Sequence, residues 1–303
     1  MDAIGFGALN LDKVFLVNEI PGAEEESYVL DLKIYPGGSS ANTIVALSRL
    51  GLKTGFIGKV GDDEEGRYII NDLRMEGVDL RNVLVEKGRT GCAMIFVDKK
   101  GNRAILVDPG VNDTIKFNEI DLDYVKKFRL LHLSSFICKV YDSSFKSQKK
   151  LVEAFDGIIS FDPGSVYAKK GLKYIMPILE KVDIFMPNEK EIELLTNLNY
   201  REGAKFMIDM GIKVVVIKRG VRGCYITNGK EEFEIPALNV KVLDTTGAGD
   251  AFNAGFLYGY LKGKDLKKCG ELGNYIAALC IQKFGAREGL PYKTSLRKFC
   301  PSQ

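Results

Sequence analysis

Between positions 130 and 217 four short apolar runs recur: Leu130-Leu131-His132-Leu133, Ile158-Ile159-Ser160-Phe161, Ile184-Phe185-Met186 and Val214-Val215-Val216-Ile217. Continuous rather than alternating apolar runs of this length suit strands buried on both faces. The stretches between them carry helical spacing, over about 143–155, 172–180, 189–195 and 201–210. Strand and helix in alternation predict an α/β fold, a doubly wound and mostly parallel sheet flanked by helices. Working outward, a short strand opens the chain at 3–7. Helices are expected over 40–50 and 64–75, and again over 251–261 and 271–283. Ligands of such sheets bind beyond the carboxyl ends of the strands.

Two segments read differently. Tyr28, Leu30, Leu32 and Ile34 alternate with mostly polar neighbours, the pattern of a half-exposed strand. Residues 92–97 and 103–107 flank Lys99-Lys100-Gly101-Asn102, a hairpin in which Gly101 and Asn102 supply positive φ. These strands predict a small β-sheet lid, inserted from about 12–36 and 89–108 into one domain spanning 1–303.

Composition excludes several classes. The 43 basic and 40 acidic residues leave a net charge of +3, too little to attract nucleic acid or an anionic membrane. No apolar run reaches membrane length, and no basic segment followed by an apolar run opens the chain. The six cysteines, Cys92, Cys138, Cys224, Cys269, Cys280 and Cys300, form no C-x-x-C pair and read as small buried hydrophobes in a reducing cytosol. The single histidine, His132, lies in a core strand and is expected to be a satisfied structural residue, and no G-x-S-x-G elbow serves it. Neither G-x-G-x-x-G nor a P-loop is present; Gly5-Phe6-Gly7-Ala8-Leu9-Asn10 is a near miss to the first.

The chemistry concentrates in Asp244-Thr245-Thr246-Gly247-Ala248-Gly249-Asp250-Ala251-Phe252, at the mouth of a helix. A helix N-terminus presents unpaired N–H groups and the positive end of a dipole, and glycines let an anion approach them. A carboxylate there would repel the anion unless Asp250 takes a proton from an attacking hydroxyl. Gly247, Ala248 and Gly249 would then stabilise charge on a transferring phosphoryl group.

Other stretches are individually weaker. Gly37-Gly38-Ser39-Ser40-Ala41-Asn42 reads either as a turn with a serine cap or as backbone that approaches a polyol, with Asn42 reaching hydroxyls and Asp12 accepting from two of them. Asn188 and Glu191 read as a helix cap, or as Glu191 ordering water around phosphate-bound Mg²⁺. Ile217-Lys218-Arg219-Gly220-Val221-Arg222-Gly223 reads as a tight hairpin turn with solvated bases, or as Lys218 and loop backbone approaching nucleotide phosphates.

Taken in order, Gly37-Gly38-x-x-x-Asn42, Gly58-x-Val60-Gly61-Asp62-Asp63, Asn188-x-x-Glu191, Lys218-x-Gly220-x-x-Gly223 and the Asp244 to Asp250 run resemble the ribokinase-like (PfkB) carbohydrate and nucleoside kinases. The likeness extends from Gly5 to about Arg287 and is nearest the archaeal-type broad-specificity nucleoside kinases. It implies Mg·ATP as donor, a primary hydroxyl as acceptor, and a lid that often serves as a homodimer interface. By the same resemblance Asp250 is the base and Gly247, Ala248 and Gly249 its anion hole. Asp12, Gly38, Ser39, Asn42 and Arg103 contact the acceptor, while Asn188, Lys218, Gly220, Gly223, Gly249 and Asn274 bind ATP. Glu191 reaches Mg²⁺ through water, and a monovalent cation is a further candidate activator.

Two departures bear on the acceptor. Ser39 stands where ribokinases carry a lysine, and Asp162-Pro163-Gly164 replaces Asp-Pro-Asn. Loss of the lysine disfavours free ribose and leaves room for a base. The expectation is therefore a cytoplasmic nucleoside kinase. A sugar kinase, a phosphofructokinase or a non-catalytic nucleotide- or sugar-binding sensor are the competing readings.

Overall fold

The computed structural model describes residues 1–298. Cys300 lies outside the described residues; the other five cysteines are free thiols. The principal sheet contains β1 (Ala3–Phe6), β4 (Thr54–Gly61), β5 (Asp79–Glu86), β8 (Leu130–Leu133), β9 (Ile158–Phe161), β10 (Ile184–Phe185), β11 (Val214–Lys218), β12 (Cys224–Thr227) and β13 (Glu232–Ile235). A second sheet contains β2 (Asn10–Val17), β3 (Val29–Gly37), β6 (Gly91–Val97) and β7 (Arg103–Asp108).

The principal order is β13-β12-β11-β10-β9-β8-β1-β4-β5. Pairings from β5 across to β11 are parallel, and β12 and β13 extend the sheet antiparallel. The chain leaves β1 toward β4 and β5, then returns to its other side with β8. The order thus reverses between β1 and β8, where a crevice opens at the strands' carboxyl ends. This is the doubly wound, mostly parallel α/β arrangement expected from the apolar runs.

Burial explains those runs. Leu130, Ile184, Val214 and Val216 pack on one face with the helices Ser39–Arg49, Ala248–Leu261 and Leu266–Cys280. Leu131, Phe185, Val215 and Ile217 pack on the other with Ser143–Ala154, Leu172–Leu179, Glu189–Thr196 and Tyr200–Asp209. Successive residues of each strand enter different cores, so neither face tolerates a polar alternation. His132 is fully buried; its Nδ1 lies 2.9 Å from Ser160 Oγ, while Nε2 has no partner among the described residues. Burial pushes its pKa down to about 4, so the ring is neutral at physiological pH, and the expectation of a satisfied histidine holds for one nitrogen only.

The second sheet runs β3-β2-β6-β7, with β2 and β6 parallel and both outer pairings antiparallel. Its registers place Asp12, Val14, Leu16, Lys33, Tyr35, Ile95 and Arg103 on one face. The hairpin turn uses positive φ at Gly101 alone, not at Asn102. Asp63 anchors this sheet to the body. One of its oxygens accepts from Thr90 Oγ1 and Gly66 N–H at 2.6 and 2.7 Å, the other from Thr90 N–H at 2.8 Å.

Candidate active site

Segments distant in sequence meet at the crevice. Helix Ala248–Leu261 begins after Gly247, whose φ of 75° is left-handed. A Cβ at Gly247 would lie 2.7 Å from the Ala286 Cα, so a larger residue would be both strained and crowded. The helix starts three residues earlier than its apolar spacing suggests, which places Asp250 in the first turn rather than before it. The Ala248 N–H donates to Thr245 O at 3.2 Å. The Gly249 and Asp250 amides, in the first turn, have no acceptor within the helix.

Asp250 is held by the helix Ser39–Arg49. Ser39 Oγ donates to its Oδ1 at 2.6 Å and Asn42 Nδ2 to its Oδ2 at 2.8 Å, while Thr43 Oγ1 donates to its backbone carbonyl at 3.2 Å. That helix starts at Gly38, φ 101°, where an added Cβ would be 2.2 Å from Ala8 O. Only glycine lets the helix mouth come this close to the β1–β2 turn. Burial raises the Asp250 pKa to about 6, the Ser39 and Asn42 donors opposing it. Asp12, on β2, is raised to about 7 by burial, with Arg287 lowering and Asp250 raising it.

Across the helix mouth, Lys218 ends β11 and is buried in an ion pair with Asp162, which also accepts from Asn253 Nδ2 at 2.6 Å. Burial works to raise the Asp162 pKa, but the Lys218 ammonium holds it below the ordinary carboxylate value. A Cβ at Gly249 would lie 3.6 Å from Lys218 Nζ, so the ammonium and the helix amides converge on one spot. The expected hairpin turn is there, but Lys218 is not a solvated base.

Asn188 and Glu191 form a reciprocal cap: Asn188 Oδ1 accepts from the Glu191 N–H at 2.9 Å, and Glu191 Oε2 from the Asn188 N–H at 2.8 Å. The Lys218 N–H donates to Pro187 O at 3.0 Å, tying this cap to the end of β11. Burial lifts Glu191 to about 7, the Asp162 carboxylate adding to it. Gly220 and Gly223 have φ of 57° and 82°; a Cβ at Gly223 would be 1.9 Å from Ile235 O. Asn274 Nδ2 donates to Ile235 O and Pro236 O at 3.1 and 3.0 Å, so it holds the segment after β13 in place.

A cavity of about 590 Å³ separates the second sheet from the segments at 243–246 and 284–286. Asp12 lies on its wall together with Val14, Ile95, Ile105, Leu243 and Phe284. Arg103 faces it too, 3.5 Å from Asp244, and Lys33 Nζ sits 5.4 Å from the Phe284 ring centre. Asp12, Asp31, Lys33 and Arg103 share one face of the second sheet and Asp244 stands opposite, so the cavity is lined by three carboxylates and two cations.

Three acids and bases here carry no family assignment above. Asp162 fixes Lys218, and its place directly after a buried strand was the available signal. Asp244 accepts from the Thr246 N–H and Oγ1 at 2.9 and 2.7 Å and from the Gly285 N–H at 2.9 Å, shaping the turn before the helix. Arg287, treated below, has no sequence signal.

Beyond the strand ends, then, the Asp250 carboxylate, the start of a helix and the Lys218 ammonium lie together, with Asp12 on the wall of the adjoining cavity; a base, helix amides and a cation are the equipment of a phosphotransferase acting on an alcohol. Residues 3–293 match the pfkB family of carbohydrate kinases, and the chain belongs to that family. A protein of Archaeoglobus fulgidus named an uncharacterized sugar kinase is 58% identical over 247 residues, 82% of this chain and 98% of its own length. An ATP-dependent ribose-1-phosphate kinase of Halopiger xanaduensis is 32% identical, covering 93% of this chain and 92% of its own. The crystal structure of a Thermotoga maritima ribokinase superposes with a TM-score of 0.88 at 27% identity, covering 99% of both chains. No helix among the described residues is long and apolar enough to cross a membrane.

Kinases of this family use ATP with Mg²⁺. Among the described residues no group of three or more His, Cys, Asp or Glu side chains could hold a metal alone. That fits an ion that arrives on nucleotide phosphates and keeps most of its waters. Such an ion would supply charge neutralisation to the transferring group, and the buried Glu191 carboxylate is the residue that would orient one of its waters.

Proposed function

We propose that this chain transfers the γ-phosphoryl group of ATP to the 5′-hydroxyl of a ribonucleoside. Asp12 and Asn42 would hold the ribose 2′- and 3′-hydroxyls, with Gly38 and Ser39 lining that end and Arg103 closing over it. The 5′-oxygen attacks the γ-phosphorus in line, its proton passes to Asp250, and the bond to the β-phosphate oxygen breaks. Lys218 with the amides around Gly247, Ala248 and Gly249 stabilises the charge that spreads over the transferring group. Asn188, Gly220, Gly223, Gly249 and Asn274 form or shape the nucleotide side.

The observation that carries the acceptor reading is the cavity. Its volume of about 590 Å³ lies in the range of about 300–1,000 Å³ typical of pockets for larger organic ligands. Beyond the polar end at Asp12 its walls are Val14, Ile95, Ile105, Leu243 and Phe284, suited to a flat base rather than to more hydroxyls. Three carboxylates against two cations give an acceptor phosphate no net attraction. The names of the curated relatives favour a second reading, a kinase for ribose, fructose, a keto-sugar acid or a sugar phosphate. A coupled ADP assay over adenosine, inosine, guanosine, cytidine and these sugars tests it. Turnover is expected on nucleosides, with the free sugars slower by at least an order of magnitude in kcat/KM. Activity confined to sugars or sugar phosphates defeats the nucleoside reading.

We also propose a homodimer through the lid. Leu30, Leu32, Ile34 and Leu106 are each at least 43% exposed, and the β3 edge is unpaired. An apolar face with a free edge favours a second copy. Sedimentation is expected to give twice the 33.6 kDa chain mass, and Leu32→Lys to halve it; a monomeric wild-type protein at micromolar concentration refutes the interface.

A further inference from the structure

Arg287 belongs to none of the sequence motifs and follows the helix Leu266–Cys280. It is nonetheless 5% exposed, and its guanidinium is shared among three elements. Nε donates to Asn42 Oδ1 at 2.9 Å, one Nη forms an ion pair with Asp72 on the helix Glu64–Met75, and the other donates to Gly37 O at 3.3 Å. Asn42 in turn donates its Nδ2 to Asp250 Oδ2. A continuous chain runs Asp72, Arg287, Asn42, Asp250.

We propose that Arg287 is a positioning residue for phosphoryl transfer: it fixes which way round the Asn42 amide stands, so that the amide nitrogen meets the Asp250 carboxylate. The inference rests on Asp250 as base.

The physical reason is the asymmetry of the partners. An asparagine amide can be turned over with little torsional cost, so its hydrogen-bond neighbours decide its orientation. A guanidinium has only donors and a carboxylate only acceptors. With Arg287 on one side and Asp250 on the other, one orientation makes two charge-assisted hydrogen bonds, and the other sets like against like at both ends. Asp72 keeps the guanidinium in register, and Arg49, paired with Glu76, donates to the Arg287 carbonyl at 2.6 Å. The charged groups acting on Arg287 are therefore Asp72, Glu76, Asp12 and Arg49. The Gly37 contact extends the effect to the acceptor side, because a Cβ at Gly37 would lie 2.5 Å from both Asp12 carboxylate oxygens. A lysine could not reproduce this, since one ammonium lacks the planar fork that spans Asn42, Asp72 and Gly37.

A double-mutant cycle tests the idea. Arg287→Ala and Asn42→Ala are each expected to lower kcat by about 10²-fold, the cost of a misplaced reacting group. The double variant should be little worse than either, because both remove one arrangement. The acid limb of kcat/KM should move to higher pH in Arg287→Ala, since a base stripped of a donor keeps its proton longer. Arg287→Lys keeps a buried cation opposite Asp72, covers the case in which Arg287→Ala does not fold, and should lose kcat nearly as far. Losses that multiply in the double variant overturn the proposal. So does a fall in melting temperature with kcat and the pH limb unchanged. Normal turnover by Asp250→Asn would defeat the base assignment on its own, and the Arg287–Asn42 coupling would still be measurable, so the two failures can be told apart.

Discussion

Asp250→Asn is expected to lower kcat by about 10²–10⁴-fold with little change in acceptor KM, the loss typical of removing a general base. The amide keeps the volume: its oxygen can accept from Asn42 Nδ2 and its nitrogen can donate to Ser39 Oγ, the two groups that donate to the carboxylate at 2.8 and 2.6 Å, so binding should survive while proton removal does not. The wild-type pH profile carries the same claim. Burial raises Asp250 to about 6, well above an ordinary aspartate, and Asp12 to about 7. The base works ionised, so kcat/KM should be full at alkaline pH and fall as pH drops through about 7 to 6, rather than near 4. Steady-state kinetics from pH 5 to 9 check both points. A limb near 4 together with near-normal turnover of the variant removes Asp250 from the proton's path.

The second large effect is expected from Lys218→Met. The Lys218–Asp162 pair is buried, with 12% and 6% of the side chains exposed. Removing the ammonium leaves Asp162 a carboxylate in a dry site with Asn253 as its remaining side-chain donor. Breaking a buried pair from one side costs about 3–5 kcal/mol of stability. Loss of a preorganised charge beside the helix amides should also lower kcat by about 10²–10³-fold. The two consequences separate in Lys218→Met combined with Asp162→Asn: most of the stability should return, because no unpaired charge remains, and the rate should not. Urea denaturation and turnover of the single and the double variant decide it. A single variant as stable and as fast as wild type would show the pair to be incidental.

Much of this site could be read from residue order. Gly247, Gly249 and Asp250 are legible as one proposed anion hole with a base because two glycines and a carboxylate fall within one turn at a helix mouth. Gly38 is legible for a similar reason, since the backbone there approaches Ala8 O and adopts φ 101°. Asn188 and Glu191 read in the sequence as a cap or as a metal contact, and the structure shows the cap in full. Asn274 looks different in three dimensions: its amide nitrogen is committed to two backbone carbonyls. Strand β4 has no continuous apolar signal in the sequence because Thr54, Gly55, Gly58, Lys59 and Gly61 interrupt its pattern. A Cβ at Gly58 would lie 2.8 Å from Leu9 and Phe56 side-chain atoms, so glycines there answer to packing, not to strand propensity.

The sequence alone determined the layered sheet, because apolar runs too short for helices and too continuous for half-exposed strands have few other homes. It also determined the phosphate chemistry, because the glycine-and-aspartate run is local and its demands act within one turn of helix. The tertiary structure alone decided that Lys218 is neutralised by Asp162 and that the cavity walls are apolar. It alone brought Arg287, 245 residues from Asn42, to hold the amide that faces the base. These are relations between side chains from distant segments, and no local pattern encodes them. They exist only once burial has removed water and left each charged group to find its partner inside the fold.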